Sequence, residues 1–186
     1  MKKLLLTVLF GMFAVAGFSQ LRWYAKFGMN FSNLTVDGTK ALPGFTMGVG
    51  MDYEFNENWA LQPGVMFTSK GYKVKDVYKA RPVYLDIPIL AAYKFAVTDN
   101  AKLFINAGPY LAFGLGGKVK FDGGGDMKVF DKDEGDADRF DIGLQWGIGA
   151  ELNDHYIVSI TGQHGFISPF DEGKNMSFAI GVGYRF

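Results

Sequence analysis

The sequence predicts an all-β chain: eight antiparallel strands closed into a barrel that crosses a membrane. Three observations predict it. Eight stretches alternate large apolar side chains with small or polar ones at a period of two. Their apolar faces end in aromatic residues, as a girdle at a membrane interface would. The connections alternate between short and long, the asymmetry of a barrel with short periplasmic turns and long external loops.

The apolar face of the first strand is Ala25, Phe27, Met29 and Phe31. The second to fifth carry theirs at odd positions, over 45–55, 59–67, 85–95 and 103–113. The sixth, seventh and eighth carry theirs at even positions, over 142–152, 156–160 and 178–186. The opposite faces are small or polar and dense in glycine, as in Gly44, Thr46, Gly48, Gly50 and Gly143, Gln145, Gly147, Gly149. Alternation alone also fits a soluble sandwich or barrel with the apolar face inside. Glycine weakens a water-facing strand but suits a crowded, narrow lumen. Closure removes the open edges that lipid does not tolerate. Pro63, Pro88 and Pro109 stand inside these stretches, so bulges or lost ladder bonds are expected there.

The short connections are residues 56–58, 98–101 and 153–155; the long ones are 32–43, 71–83, 116–140 and 162–176. With the start of the barrel on the periplasmic side, every short turn falls inside and every long loop outside. Both ends of the mature chain are then periplasmic, in a protein integral to a bacterial outer membrane.

A chain of 186 residues accommodates one modest domain. Lys2 and Lys3 precede an apolar run over 4–18, interrupted by Thr7. That run is too short for an ordinary spanning helix and reads as a secretory signal. Cleavage after Ala16 or Ser19 fits the small-residue rule. Ser19 is preferred because it leaves less apolar sequence behind, and an uncleaved anchor is the alternative. The expected division is a signal over 1–19 and a barrel domain over 20–186. Without Lys2 and Lys3, 17 basic side chains face 19 acidic ones, a net charge of −2. That argues against a nucleic-acid partner, which calls for a basic face. The absence of cysteine excludes disulfides, thiolate chemistry, Cys zinc sites and a cysteine-anchored lipid.

The inward faces carry Lys26, Lys70, Lys94, Lys102 and Arg185, and against them Asp52, Glu54, Asp86, Asp141 and Glu151. A small barrel is filled by its side chains, and unpaired charge inside it is costly. A structural charge network is expected, with an ion path or a ligand site as alternatives; register decides the pairs. Asp131, Asp133, Glu134, Asp136 and Asp138 crowd the third long loop. They form a weak candidate for an external divalent-cation site. The run misses an EF-hand because its glycine is fifth instead of sixth and no helix pattern flanks it. A solvated loop is the plainer reading. Only His155 and His164 supply imidazole. His164 lies near Ser168 and Asp171, a set that suits acyl transfer or lipid hydrolysis, yet nothing predicts rigid support for it. The expectation is therefore a chain that is not an enzyme, with no catalytic residue, cofactor or metal site.

Five stretches recur in order: Lys26-Phe27-Gly28-Met29-Asn30-Phe31-Ser32-Asn33-Leu34, then Leu61-Gln62-Pro63-Gly64-Val65-Met66-Phe67-Thr68-Ser69-Lys70-Gly71, Tyr84-Leu85-Asp86-Ile87-Pro88-Ile89-Leu90, Ala107-Gly108-Pro109-Tyr110-Leu111 and Gly181-Val182-Gly183-Tyr184-Arg185-Phe186. On these the chain resembles the outer-membrane β-barrel family typified by the PorT-like proteins of Bacteroidetes. The resemblance implies a barrel of the small OmpX and OmpA kind, set in outer-membrane lipid by the outer-membrane assembly machinery. It implies that Phe186 belongs to a terminal insertion signal, and it suggests an accessory role in protein secretion. The expected function is a structural, surface-binding or accessory role with a lumen plugged by side chains. A narrow ion or small-solute channel and a lipid hydrolase or acyltransferase are the alternatives.

Overall fold

Alternating faces meet two environments only when the backbone is extended, because successive side chains of a strand point to opposite sides. The computed structural model describes residues 21–36, 38–74, 77–130, 139–168 and 173–186. The expected signal lies outside them. The described chain forms β1 (Leu21–Leu34), β2 (Thr39–Glu54), β3 (Trp59–Ser69), β4 (Tyr72–Val74), β5 (Tyr78–Thr98), β6 (Ala101–Phe121), β7 (Asp126–Lys128), β8 (Phe140–Leu152), β9 (Tyr156–Gly165) and β10 (Asn175–Arg185).

These ten strands make one antiparallel sheet whose pairings run round a ring. Its order is β1, β2, β3, β5, β6, β8, β9, β10 and back to β1. Short β4 pairs with β2 and β5, and short β7 with β6. Partner by partner, a line from Leu21 runs through Tyr53, Leu61, Ala91, Ala107, Trp146, Gly162 and Phe178. It meets β1 again at Phe31, ten residues farther along. A ring with this stagger has tilted strands.

Two expectations need correction. The sequence predicts eight strands in a regular closed barrel, whereas the described residues form about ten strands in a barrel-like ring, with β4 and β7 added at its outer end. The additional pair, β4 and β7, are three residues each, too short for alternation to register. The long external connections 32–43 and 71–83 are also largely strand among their described residues. β5 and β6 run for 21 residues each, about twice the roughly 9–11 residues a membrane strand needs. Their ends beyond the membrane, with β4, β7 and the start of β2, form a small extracellular sheet. Its inner face packs Leu34, Tyr72 and Ala80 with Tyr78 and Val119, so apolar burial extends strand pairing past the bilayer.

The large apolar side chains face outward: Phe27, Met29, Val49, Ile105, Trp146, Ile148, Ile180 and Val182 are all exposed. Aromatic contacts gather at the rim of the short turns. Trp59 meets Tyr93 edge to face at 5.1 Å, and Tyr184 meets Tyr156 at 5.8 Å and Phe186 at 5.4 Å. Phe113 and Phe140, 5.3 Å apart, belong to the opposite rim. The short turns are built by side-chain and backbone choice. Asn56 Oδ1 accepts hydrogen bonds from the amides of Asn58 and Trp59 at 2.9 and 2.8 Å. Asn153 and Asp154 take φ of 51° and 59°, the left-handed pair of a tight hairpin.

The prolines interrupt the ladder without displacing it. Pairing between β3 and β5 lapses between Pro63 and Met66, and between β5 and β6 from Pro88 to Ala91; the register resumes unshifted each time. Two shifts lie elsewhere, one between Ala96 and Thr98 beside the short turn and one between Val83 and Tyr84. Tyr84 pairs with Gly114 but Val83 with Gly116, which leaves one extra residue in β6. Such a bulge re-aims every later side chain. Val119 turns inward onto the apolar clusters, and Lys118 and Lys120 turn outward, opposite Arg81 and Lys79.

Inward glycines leave room for rings. A Cβ at Gly50 would strike the Tyr24 ring, one at Gly143 the Tyr110 ring, and one at Gly149 the Phe104 ring. The glycine-rich face is thus one half of an interlocking lumen.

Candidate functional site

Inward-facing residues of neighbouring strands converge because the ring is narrow. At the periplasmic end, Asp52 of β2 lies between two cations from other strands. It accepts from Lys94 Nζ at 2.5 Å and from Arg185 Nη2 at 2.5 Å. Lys94 also reaches Glu54 at 3.0 Å and Glu151 at 3.1 Å, and Arg185 Nη2 donates to Glu151. Gln62 Nε2 donates to Asp52 at 3.0 Å, and Asn106 Nδ2 donates to Gln62 Oε1 at 2.7 Å. Asp52, Lys94, Glu151 and Arg185 are almost wholly buried. Pairing of this density is what makes charge tolerable away from water.

Lys26 lies deeper in the ring. Its Nζ stands over the rings of Tyr24 at 4.9 Å and Phe104 at 5.6 Å. It makes no ion pair among the described residues. It lines a cavity of about 60 Å³ with Asn30, Thr46, Thr68, Gln145 and Gln163, polar groups that suit a few waters.

The outer mouth is filled by a second group. Lys70 Nζ is 3.2 Å from Asp86 and is held between the rings of Tyr110 at 4.7 Å and Tyr84 at 5.0 Å. Gln163 Nε2 donates to Asp86 at 3.0 Å. Asp141 accepts from the Tyr110 hydroxyl at 3.2 Å, from Asn175 Nδ2 at 3.1 Å and from the Ile167 amide at 3.3 Å. Phe130 folds in from beyond β7 and meets Tyr84 edge to face at 5.7 Å, under the Arg139 guanidinium.

The ten sequence-selected charges therefore do not form one network. Asp52, Glu54, Lys94, Glu151 and Arg185 come together; Lys70 and Asp86 pair separately; Asp141 binds neutral donors; Lys26 meets aromatic rings and no carboxylate among the described residues. Lys102 leaves the lumen for the rim and meets Asp154 at 3.1 Å. That contact holds the Asp154 carboxyl below its ordinary value of 3.8, by hydrogen bonding and charge. A depressed carboxylate stabilises the fold above its unfolded pKa and loses that contribution as pH falls through the folded one. Asp154 is solvent-exposed and Lys102 partly so, so screening leaves little. Lys102→Ala should raise the Asp154 pKa towards 3.8 by NMR titration and change stability by under about 1 kcal/mol.

Asp131, Asp133, Glu134, Asp136 and Asp138 lie outside the described residues, as does Asp171. His164 is exposed beside Phe166, with ring centroids 6.1 Å apart. It pairs in register with Leu144 and Met176 of the outward apolar face, and it makes no hydrogen bond to Ser168 among the described residues. No group of three or more metal-ligating side chains occurs among the described residues. Sequence reasoning missed Tyr84, Tyr110 and Phe130 as the stopper of the mouth. Phe130 gives no periodic signal, and the two tyrosines are apolar-bodied residues on a nominally polar face.

The chain matches the model of the family described as outer membrane protein beta-barrel domain over residues 16–171. Among solved structures it is similar to Ail, the attachment invasion locus protein of Yersinia pestis, in complex with the heparin analogue sucrose octasulfate. That likeness has 18% identity and a TM-score of 0.50, and covers 90% of this chain and 99% of that one. It is also similar to Neisserial surface protein A, at 18% identity and a TM-score of 0.50, covering 88% and 95%. At such identities the likeness concerns the fold. The comparison with curated proteins found no match. An outward apolar surface with aromatic rims, an inward set of paired charges and a family match over most of the length agree: this is an integral outer-membrane protein with periplasmic termini, and the chain belongs to the outer membrane protein beta-barrel domain family.

Proposed function

We propose that the chain is a non-conducting, non-enzymatic platform in the outer membrane, with an interior that is architecture and an extracellular sheet that does the binding. The observation that carries this reading is how the interior is filled. The Asp52–Lys94–Glu151–Arg185 cluster occupies one end, and Tyr84, Tyr110 and Phe130 stop the other. Between them is a cavity of about 60 Å³.

Planar-bilayer recordings of the purified protein test the reading. No stepwise conductance is expected; sustained single-channel steps would overturn it in favour of a narrow ion path. The narrower kinship with PorT-like barrels rests on the five ordered stretches, and with it insertion by the outer-membrane assembly machinery and an accessory role in secretion. Crosslinking in native outer membranes separates these: a reproducible secretion-machinery partner favours the accessory role, and recovery of lipid and assembly factors alone removes it.

A further inference from the structure

We propose that the outward face of the extracellular sheet binds the phosphate groups of anionic glycolipids in the outer leaflet, through Lys73, Lys79, Arg81, Lys118, Lys120 and Lys128. The inference goes beyond the reading of the interior and does not depend on whether the lumen conducts.

Register places these cations. Lys73 is opposite Lys79, Lys79 opposite Lys120, Arg81 opposite Lys118, and Lys118 opposite Lys128. Cross-strand partners share a face, so all six stand on one side of β4, β5, β6 and β7. The bulge at Tyr84 is what brings Lys118 and Lys120 to that side. Gly117 makes the bulge feasible, since a Cβ there would lie 2.6 Å from both Arg81 O and Pro82 Cα.

Like charges directly opposite one another destabilise a sheet, and this ladder repeats the arrangement four times. Two carboxylates stand beside these cations among the described residues. Asp122 lies 3.4 Å from Lys79, and Asp126 is opposite Lys120 in register. Among the described residues Lys73, Arg81, Lys118 and Lys120 make no ion pair. Arg81, Lys118 and Lys120 are exposed. With Lys79 they border a cleft of about 500 Å³ around Gly117, roomy enough for phosphorylated sugar. An external anion would bridge Lys79 with Lys120 and Arg81 with Lys118.

The lipid is favoured over a soluble anion by continuity. The cations occupy the same outward face as the apolar band and begin where it stops. Along β5 the outward sequence is Ile87, Leu85, Val83, then Arg81 and Lys79. Arg81 is four residues from Leu85, about 13 Å along the strand at ~3.3 Å per residue. A lipid with acyl chains against Leu85 and Phe113 therefore carries its headgroup at the height of Arg81 and Lys118. Basic side chains at that height attract anionic lipid with about 1 kcal/mol each.

The test uses the full chain in zwitterionic vesicles doped with lipid A, with dephosphorylated lipid A, or with neither. Retained lipid is read by native mass spectrometry. The wild type should retain lipid A and not its dephosphorylated form, and the retention should weaken with salt. The Arg81→Gln, Lys118→Gln, Lys120→Gln triple variant should lose retention at least about tenfold, with heat-modifiable migration as the control for folding. The Arg81→Lys variant keeps the charge and should retain lipid A. Equal retention of the two lipids, or an unaffected triple variant, would overturn the proposal. So would binding of a soluble sulfated polysaccharide to the same cations with no retention of lipid A, which would assign the face to a polysaccharide.

Discussion

Arg185→Met is expected to lower the unfolding free energy by about 3–5 kcal/mol, the usual cost of removing one partner from a buried ion cluster. Arg185 Nη2 bridges Asp52 and Glu151, and without it Lys94 alone faces Asp52, Glu54 and Glu151. Three carboxylates on one ammonium leave at least one anion without a buried counter-charge. Urea titration of the protein in lipid vesicles measures the loss. Adding Glu151→Gln should restore part of it, because an anion is removed with its lost partner. A change below about 1 kcal/mol, the size of an exposed pair, would show the cluster to be hydrated and the periplasmic end open.

Gly149→Val should cost about 1–3 kcal/mol through overpacking. A Cβ at Gly149 runs into the Phe104 ring from one side and the Val158 carbonyl from the other. Phe104 is itself buried against Tyr24 and Ile157, so its ring cannot retreat. The same substitution in a Phe104→Ala background should cost measurably less, and that non-additivity identifies the interlock. Equal costs in both backgrounds would mean that the carbonyl contact alone resists the side chain.

The lipid-facing and inward sides were legible because a membrane-spanning strand has one rule, a large apolar residue at every second position. Phe27, Val49, Ile105 and Ile180 obey it and are exposed, while Asp52, Lys94 and Arg185 fall between such positions and are buried. Beyond the membrane both faces of the sheet meet water in part, and the rule lapses. There Leu34, Tyr72 and Ala80 are buried with Val119 packed against them, and the bulge at Tyr84 reverses the phase of β6, so 118–121 read as loop. The charge partners were illegible for a related reason: Lys94 and Asp52 are 42 residues apart in sequence and meet only through the register of the ring. Lys102 lay on the correct face but one step too near the rim.

The seam between β1 and β10 carries a kinetic consequence. Eleven residues of β1, Tyr24 to Leu34, are zipped to Arg185 through Asn175, the largest sequence separation of any pairing in the fold. Loop-closure entropy must be met in full before this contact returns anything. Until it forms, two strand edges stand with their amides and carbonyls bare, a state that hydrocarbon penalises at every group. Entry into the bilayer and completion of the seam are therefore one event, slow and all-or-none, with no half-inserted intermediate of low energy to rest in.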